Sequence, residues 1–244
     1  MSINDFFNIG FVGSLLKNSQ PNQTLTIVAI AIAAVICIIA PYLLGSLNFA
    51  IIISKTKYKS DIRNYGSGNA GATNMMRTFG KSAAGLTFLG DALKAFVSGL
   101  LGYALLGALG AYIAGIFCIL GHMFPLYYKF KGGKGVVTAA ISILMCNPIV
   151  FVILLLIFVI IVAGTKYISL GSVMCVLMYP FILNAMDLWL NKTPSPFVLF
   201  ALFTSALVIF MHRENIKRLL AGKENKFSFK KSEKPTDKNK DSKN

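Results

Sequence analysis

The sequence predicts an all-α polytopic membrane protein of about seven transmembrane helices, N-terminus outside and C-terminus cytoplasmic. Three observations carry that expectation: an apolar excess, a series of apolar runs, and a lopsided distribution of basic residues. Of the 244 residues, 55% are hydrophobic and only 14% charged, with mean hydropathy +0.67. A soluble globular chain is about a quarter charged, so lipid is the expected solvent.

Apolar runs fall at about 25–53, 82–107, 109–128, 136–146, 148–163, 168–186 and 196–211. A span needs roughly 20 apolar residues to cross a hydrocarbon core of about 30 Å. The first run is long enough to tilt or to kink at Pro41, whose ring removes an intrahelical hydrogen bond. Asn147-Pro148 favours a turn between the fourth and fifth runs. Merging runs in pairs gives a five-span alternative with the same inner loops.

Basic residues set the sidedness. With the N-terminus outside, the inner segments 54–81, 129–135, 164–167 and 212–244 hold 21 of the 24 lysines and arginines. The outer side keeps Lys17 and Lys192, and Lys94 lies within a run. Positive charge favours the cytoplasm. The same clustering argues against nucleic acid as the partner of the +15 net charge, since these residues flank apolar runs where anionic lipid explains them.

The chain divides into an N-terminal extension (1–24), a membrane-embedded domain (25–226) and a basic, disordered tail (227–244). Phe6, Phe7, Ile9, Phe11, Val12, Leu15 and Leu16 recur at roughly helical intervals, as in an interfacial helix. The extension is not a secretory signal, because Asp5 stands where a basic region belongs. Cys37, Cys118, Cys146 and Cys175 sit in or at the ends of apolar runs without metal-ligand spacing and read as small buried hydrophobes. No metal or cofactor is expected.

Three polar stretches fall on the inner side. Residues 61–81 carry Gly66, Gly68, Gly71 and Gly80 among hydroxyls, amides and the cations Arg63, Arg77 and Lys81. Glycine lets backbone N–H groups approach an anion, and arginine grips its oxygens in a planar fork; a flexible positive loop is the alternative. Residues 129–138, KFKGGKGVVT, run directly into a helix, whose N-terminal amides with Lys131 and Lys134 form an anion site. This is no Walker A loop, since the G-x-x-x-x-G-K-[ST] spacing is absent and Gly135 follows Lys134. In the third stretch, His212-Arg-Glu-Asn, His212 and Asn215 share a helix face at the end of the last run.

Within the second run, Asp91 and Lys94 stand three apart; intramembrane charges are costly and must pair. They are expected to form a structural ion pair bracing the loops, and His122 to be a satisfied packing histidine.

Taken together, GSGNAGATNMMRTFGK, GHMFPLYYKFKGGKGVVT and HRENIKRLLAGKENKF resemble the acyl-phosphate-dependent glycerol-3-phosphate acyltransferases, the PlsY family, with GSLNFA, GDALKAF and TKYISLGS similar to its lesser motifs. The resemblance runs in order from about Gly45 to Phe227. It implies transfer of a fatty acyl group from acyl phosphate to the sn-1 hydroxyl, giving lysophosphatidic acid and phosphate at the cytoplasmic face. It assigns catalysis to Ser67, Arg77, His212 and Asn215, with Gly66, Gly68, Asn69 and Thr73 binding substrate beside them. Glycerol-3-phosphate falls to Gly132, Gly133, Lys134 and Gly135 with Lys131 and Thr138, and Glu214 is structural. The partners it implies are the two substrates, the bilayer, and a soluble acyl-phosphate-synthesising enzyme on the inner face.

Asn48, Ala50, Ala95 and Lys166 depart from the family's usual proline, glycine, glycine and arginine. The proton acceptor is left open between His212 and the donor's own phosphate. The His-x-x-x-x-Asp pair of thioester-dependent enzymes is absent, since Tyr127 follows His122 by five and Lys217 follows His212 by five. A transporter of a phosphorylated solute is the rival class; it would place its polar residues near the bilayer midplane in repeated halves.

Overall fold

The computed structural model describes residues 3–19 and 22–227. Apart from Phe227, the tail expected over 227–244 lies outside them. The described chain is helical: α1 (Ile3–Ser19), α2 (Gln23–Ser46), α3 (Phe49–Tyr58), α4 (Ala72–Phe79), α5 (Lys81–Met123), α6 (Val136–Cys146), α7 (Pro148–Thr165), α8 (Ile168–Asn191), α9 (Val198–Met211) and α10 (Arg213–Leu220).

The long α5 is a hairpin. Its backbone leaves helical geometry at Leu106 and Gly107, where Gly107 takes φ 60°. Lys94 Nζ and His122 Nδ1 are 2.9 Å apart across 28 residues of sequence, whereas a straight helix would separate them by about 42 Å. The arms touch backbone to backbone: a Cβ at Gly102 would lie 2.3 Å from the Gly110 carbonyl oxygen, and one at Gly110 2.2 Å from that of Gly102. The helix α2 packs on the returning arm in the same way, since a Cβ at Gly121 would fall 2.2 Å from Tyr42 O and one at Gly45 2.2 Å from Cys118 O. In lipid the outer apolar side chains gain nothing by association, so small residues that allow close approach carry helix packing. The large side chains point outward, among them Ile160, Phe181 and Leu199, each more than 70% exposed.

Among the described residues, four helical segments are long and apolar enough to cross a membrane, or five if the bent α9–α10 pair is one span. The difference from the seven expected runs has two physical causes. The 82–107 and 109–128 runs join in α5 without an intervening loop. The 11-residue α6 rises only about 16 Å, roughly half the hydrocarbon core. Asn147-Pro148 does separate α6 from α7, the Asn147 side chain accepting from Val150 N at 3.2 Å.

The break in the first run falls at Leu47–Asn48, not at Pro41, which lies inside continuous α2. Asn48 makes that break: its Oδ1 accepts from Ile51 N (3.1 Å) as the cap of α3, and its Nδ2 donates to Ala70 O (3.3 Å). The α1 helix bends at Gly10 (φ 67°) against the α5 turn, where a Cβ on Gly107 would meet Asn8 backbone at 2.4 Å.

These paths gather the polar loops at one end of the bundle. Arg63 donates to Tyr128 O and Lys131 O, both at 3.2 Å, joining the first two stretches. Phe227 N donates to Lys166 O at 2.7 Å, bringing residues 221–227 over the start of α8.

Candidate active site

A cavity of about 410 Å³ opens where these loops meet. Its polar end is lined by Ser67, Asn69, Thr73, Arg77, Lys134, His212 and Asn215, all expected from the sequence, and its apolar walls come from α6, α7 and α8. The wall residues Phe151, Leu154, Leu155 and Phe158 of α7 repeat at helical intervals along one face, forming a groove that leads from the charged end into the bundle.

The 61–71 loop is shaped by Asn74, which sequence reasoning passed over. Its Nδ2 donates to Tyr65 O (3.0 Å) and Asn69 O (3.1 Å), and its Oδ1 accepts from Ser67 N (3.1 Å). Gly66 at φ 54° and Gly68 at φ 73° turn the chain around that amide; a Cβ on Gly66 would strike Asn74 Oδ1 at 2.4 Å. Arg63 is spent on Asp61 and on the carbonyls of the neighbouring loop.

The 132–135 turn folds onto the end of α5. Gly132 N donates to Met123 O and Gly133 N to His122 O, both at 3.1 Å. Gly135 at φ 75° starts α6, and Thr138 Oγ1 donates back to Gly135 O at 2.9 Å. Lys131 is exposed, and Gly132, Gly133 and Thr138 shape the turn without lining the cavity. Of that group Lys134 and Gly135 reach it.

Charge concentrates around Glu224. Its Oε1 accepts from Asn215 Nδ2 (2.7 Å) and Ser169 Oγ (3.0 Å), and its Oε2 from Arg218 Nε (2.8 Å). Lys134 Nζ donates to Asn215 Oδ1, and Arg77 Nη2 to Asn225 O at 3.3 Å. Burial alone would raise the Glu224 carboxyl, but the hydrogen bonds from Asn215, Arg218 and Ser169 outweigh it and hold it below its usual value. Burial, with Arg218 adding repulsion, pulls Lys134 down to about 8. Arg77, Lys134 and Arg218 thus share one carboxylate, leaving positive charge for an anionic ligand.

His212 is the corner residue between α9 and α10, 3% exposed. Its Nδ1 donates to Val208 O at 2.8 Å, so the neutral ring presents an Nε2 lone pair. Burial and then the charge of Lys134 outweigh the Val208 bond and lower the ring to about 4, leaving it unprotonated near neutrality.

Glu214, expected to be structural, is exposed and pairs with Lys217 at 3.2 Å; the bracing carboxylate of this segment is Glu224. Asp91 and Lys94 do pair, at 2.8 Å, both under 4% exposed. His122 differs from expectation, because it lines the cavity. The residues that sequence reasoning missed are therefore His122, Asn74, Ser169, Arg218 and Glu224. The last two belong to the quoted third motif, and their chemistry was available there without their partners. Among the described residues no cluster of three or more His, Cys, Asp or Glu could hold a metal ion.

A helical membrane protein whose chamber joins a cationic, glycine-lined end to an apolar groove is built to bring a phosphorylated polar group to a lipid chain. The profile of the family described as Glycerol-3-phosphate acyltransferase matches residues 35–222, and the chain belongs to that family. It is 45% identical over 197 residues to the glycerol-3-phosphate acyltransferase of Thermoanaerobacter pseudethanolicus, covering 81% of this chain and 97% of that one. It is 42% identical over 188 residues to that of Finegoldia magna, covering 76% and 91%. The crystal structure of PlsY, an integral membrane glycerol 3-phosphate acyltransferase, in its glycerol 3-phosphate form superposes with TM-score 0.72 at 37% identity, covering 80% of this chain and 96% of that chain. Its lysophosphatidic acid form gives 0.69 at 35% identity with the same coverage.

Proposed function

We propose that this protein transfers a fatty acyl group from acyl phosphate to the sn-1 hydroxyl of glycerol-3-phosphate, releasing lysophosphatidic acid and inorganic phosphate. The observation that carries the reading is the chamber itself: Arg77, Lys134 and Arg218 converge at one end of an apolar groove, matching substrates with phosphate heads and one long tail. A transporter would gather its polar residues near the bilayer midplane, whereas these collect at one end of the bundle.

Glycerol-3-phosphate is assigned to Lys134 and the 131–135 turn, and acyl phosphate to Ser67, Arg77 and the amides of the 66–71 loop. The sn-1 oxygen forms the ester bond to the acyl carbon while the bond from that carbon to the phosphate oxygen breaks. Phosphate is already a good leaving group, so orientation and electrostatics supply most of the catalysis. His212 Nε2 accepts a hydrogen bond from the hydroxyl and, with Asn215 fixed by Lys134 and Glu224, holds it toward the acyl carbon. A ring lowered to about 4 is a weak base, and the proton finishes on the departing phosphate, the stronger one.

Counting the two arms of α5 separately and α6 as a short segment, the chain has seven membrane segments; with the N-terminus outside, this chamber lies on the cytoplasmic side, where a soluble acyl-phosphate-synthesising enzyme would deliver its product to the basic face. The test is an assay of purified protein with glycerol-3-phosphate and palmitoyl phosphate beside a reaction with palmitoyl-CoA. Lysophosphatidic acid from the first mixture alone is expected, and Arg77→Ala should lower the rate by two orders of magnitude or more, roughly the loss of one main electrostatic contact. No product from folded protein in either mixture would overturn the reading.

A further inference from the structure

The two histidines of this chain both reach the chamber, and their Nδ1 partners set them in opposite states. The His212 Nδ1 donates to a carbonyl, which leaves Nε2 as an acceptor. The His122 Nδ1 lies 2.9 Å from the Lys94 ammonium, whose other two hydrogens go to Gly45 O at 3.0 Å and Leu47 O at 2.9 Å. An ammonium has three donors and no acceptor, so His122 Nδ1 accepts and its proton sits on Nε2. Asp91 Oδ1 stands 2.8 Å from Lys94 Nζ and 3.4 Å from His122 Nδ1. Among the described residues it is the one buried side-chain oxygen or nitrogen without a hydrogen bond, so it balances the ammonium charge without taking the imidazole's proton.

The His122 Nε2 has no acceptor among the described residues, yet it is absent from the buried unpaired atoms and its ring lines the cavity. It is an N–H opening into the chamber. Its place is between the two glycine loops: a Cβ on Gly133 would stand 2.2 Å from this nitrogen and 2.5 Å from Ala70 O. An unpaired donor in an enclosed site is costly unless a ligand oxygen completes it.

We propose that His122 is a substrate-contacting residue whose Nε2–H donates to a phosphate oxygen of glycerol-3-phosphate on the 132–135 turn, with Lys94 and Asp91 fixing the tautomer. The proposal rests on the assignment of glycerol-3-phosphate to that turn. It gives the buried Asp91–Lys94 pair a task beyond bracing: the pair makes a neutral imidazole an obligate donor, which cannot serve as the base.

Two measurements test it. In steady-state kinetics, His122→Leu should raise KM for glycerol-3-phosphate roughly ten- to hundredfold, the worth of a hydrogen bond to a charged group. The KM for acyl phosphate and kcat should stay within about threefold of wild type by the same reasoning, because the contact is made equally in ground and transition states. His122→Gln, which places an amide N–H near the lost Nε2, should recover most of the loss. An unchanged KM, or a fall confined to kcat, would overturn the assignment. Nitrogen NMR of histidine-labelled protein, with His212→Ala identifying the remaining ring, should show His122 protonated at Nε2 and perturbed by glycerol-3-phosphate alone; a ring protonated only at Nδ1, or one indifferent to that ligand, sinks the idea without any variant having to fold at that site. A wild-type protein that makes no lysophosphatidic acid would instead be a failure of the acyltransferase reading.

Discussion

Lys134 and Glu224 carry the residue-scale argument, because each does something its sequence position does not announce. With its lowered value of about 8, Lys134 sheds its proton as pH rises through the range where many assays are run. A phosphate dianion favours the charged lysine, so binding should take up a proton, and KM for glycerol-3-phosphate should climb above about pH 8. Lys134→Arg keeps its charge at every accessible pH and should flatten that climb; kinetics between about pH 7 and 9.5 read both. A KM in the wild type that is flat across this range would mean that Lys134 does not hold the anion. At Glu224, three side chains from two helices, α8 and α10, converge on one carboxylate. Glu224→Ala should therefore release Asn215 and Arg218 and cut kcat/KM by tenfold or more, about the cost of one broken charged hydrogen bond. The exposed Glu214→Ala should leave activity unchanged, and equal losses in the two variants would refute the distinction. The contrast shows where sequence reading stops. Arg77 and Lys134 stand out because glycine-cation clusters advertise anion chemistry locally, whereas Ser67, His212 and Asn215 are picked out by the family resemblance; all five line the chamber. Glu224 and His122 were not legible, since their meaning lies in partners 55 residues away at Ser169 and 28 away at Lys94.

At the scale of elements, the apolar runs were legible and their joints were not. Composition marks 82–107 and 109–128 as two segments, but it cannot say that Leu106–Gly107 alone turns the chain, with Gly102 and Gly110 in backbone contact beside the turn. Nor does a proline in an apolar run locate the bend, as Pro41 within α2 and the capped break at Asn48 demonstrate. Close approach of α2 to the returning arm of α5 fixes the carbonyls of Gly45 and Leu47 where Lys94 can take them, so packing and site are one construction. Gly121→Val should thus act twice. Its Cβ would enter the space of Tyr42 O at 2.2 Å, an overpacking that costs about 1–3 kcal/mol, read as a lowered midpoint in thermal unfolding in detergent. Parting α2 from α5 should also loosen Lys94 and raise KM for glycerol-3-phosphate. A variant as stable as wild type would show that this contact is slack.

For the whole molecule, the governing fact is that the connections alternate in chemistry as well as in position. The ends carrying residues 59–80, 124–135, 166–167 and 212–227 meet around one chamber, and 12 of the 18 lysines and arginines among the described residues lie on them. The opposite ends are the α5 turn, the Asn147 corner and the 191–197 connection, with Lys192 their one cation among the described residues. A bilayer sorts such a chain by the cost of moving lysine and arginine across it and by the anionic inner leaflet, which predicts a chamber end that faces the cytoplasm. The four native cysteines are buried or half-buried along the helices, so a single introduced thiol can report sidedness. Lys192→Cys should react with a membrane-impermeant maleimide on intact cells, while Lys223→Cys, on the exposed turn after α10, should react only once the membrane is opened. The reverse pattern would place the chamber outside, away from any cytoplasmic supply of acyl phosphate, and labelling of both from one side would mean that the 191–197 connection does not reach the far surface. This pair of sites also tests whether the 14-residue α9 makes a full pass: Lys192 lies before it and Lys223 beyond it, so opposite labelling requires a crossing by α9.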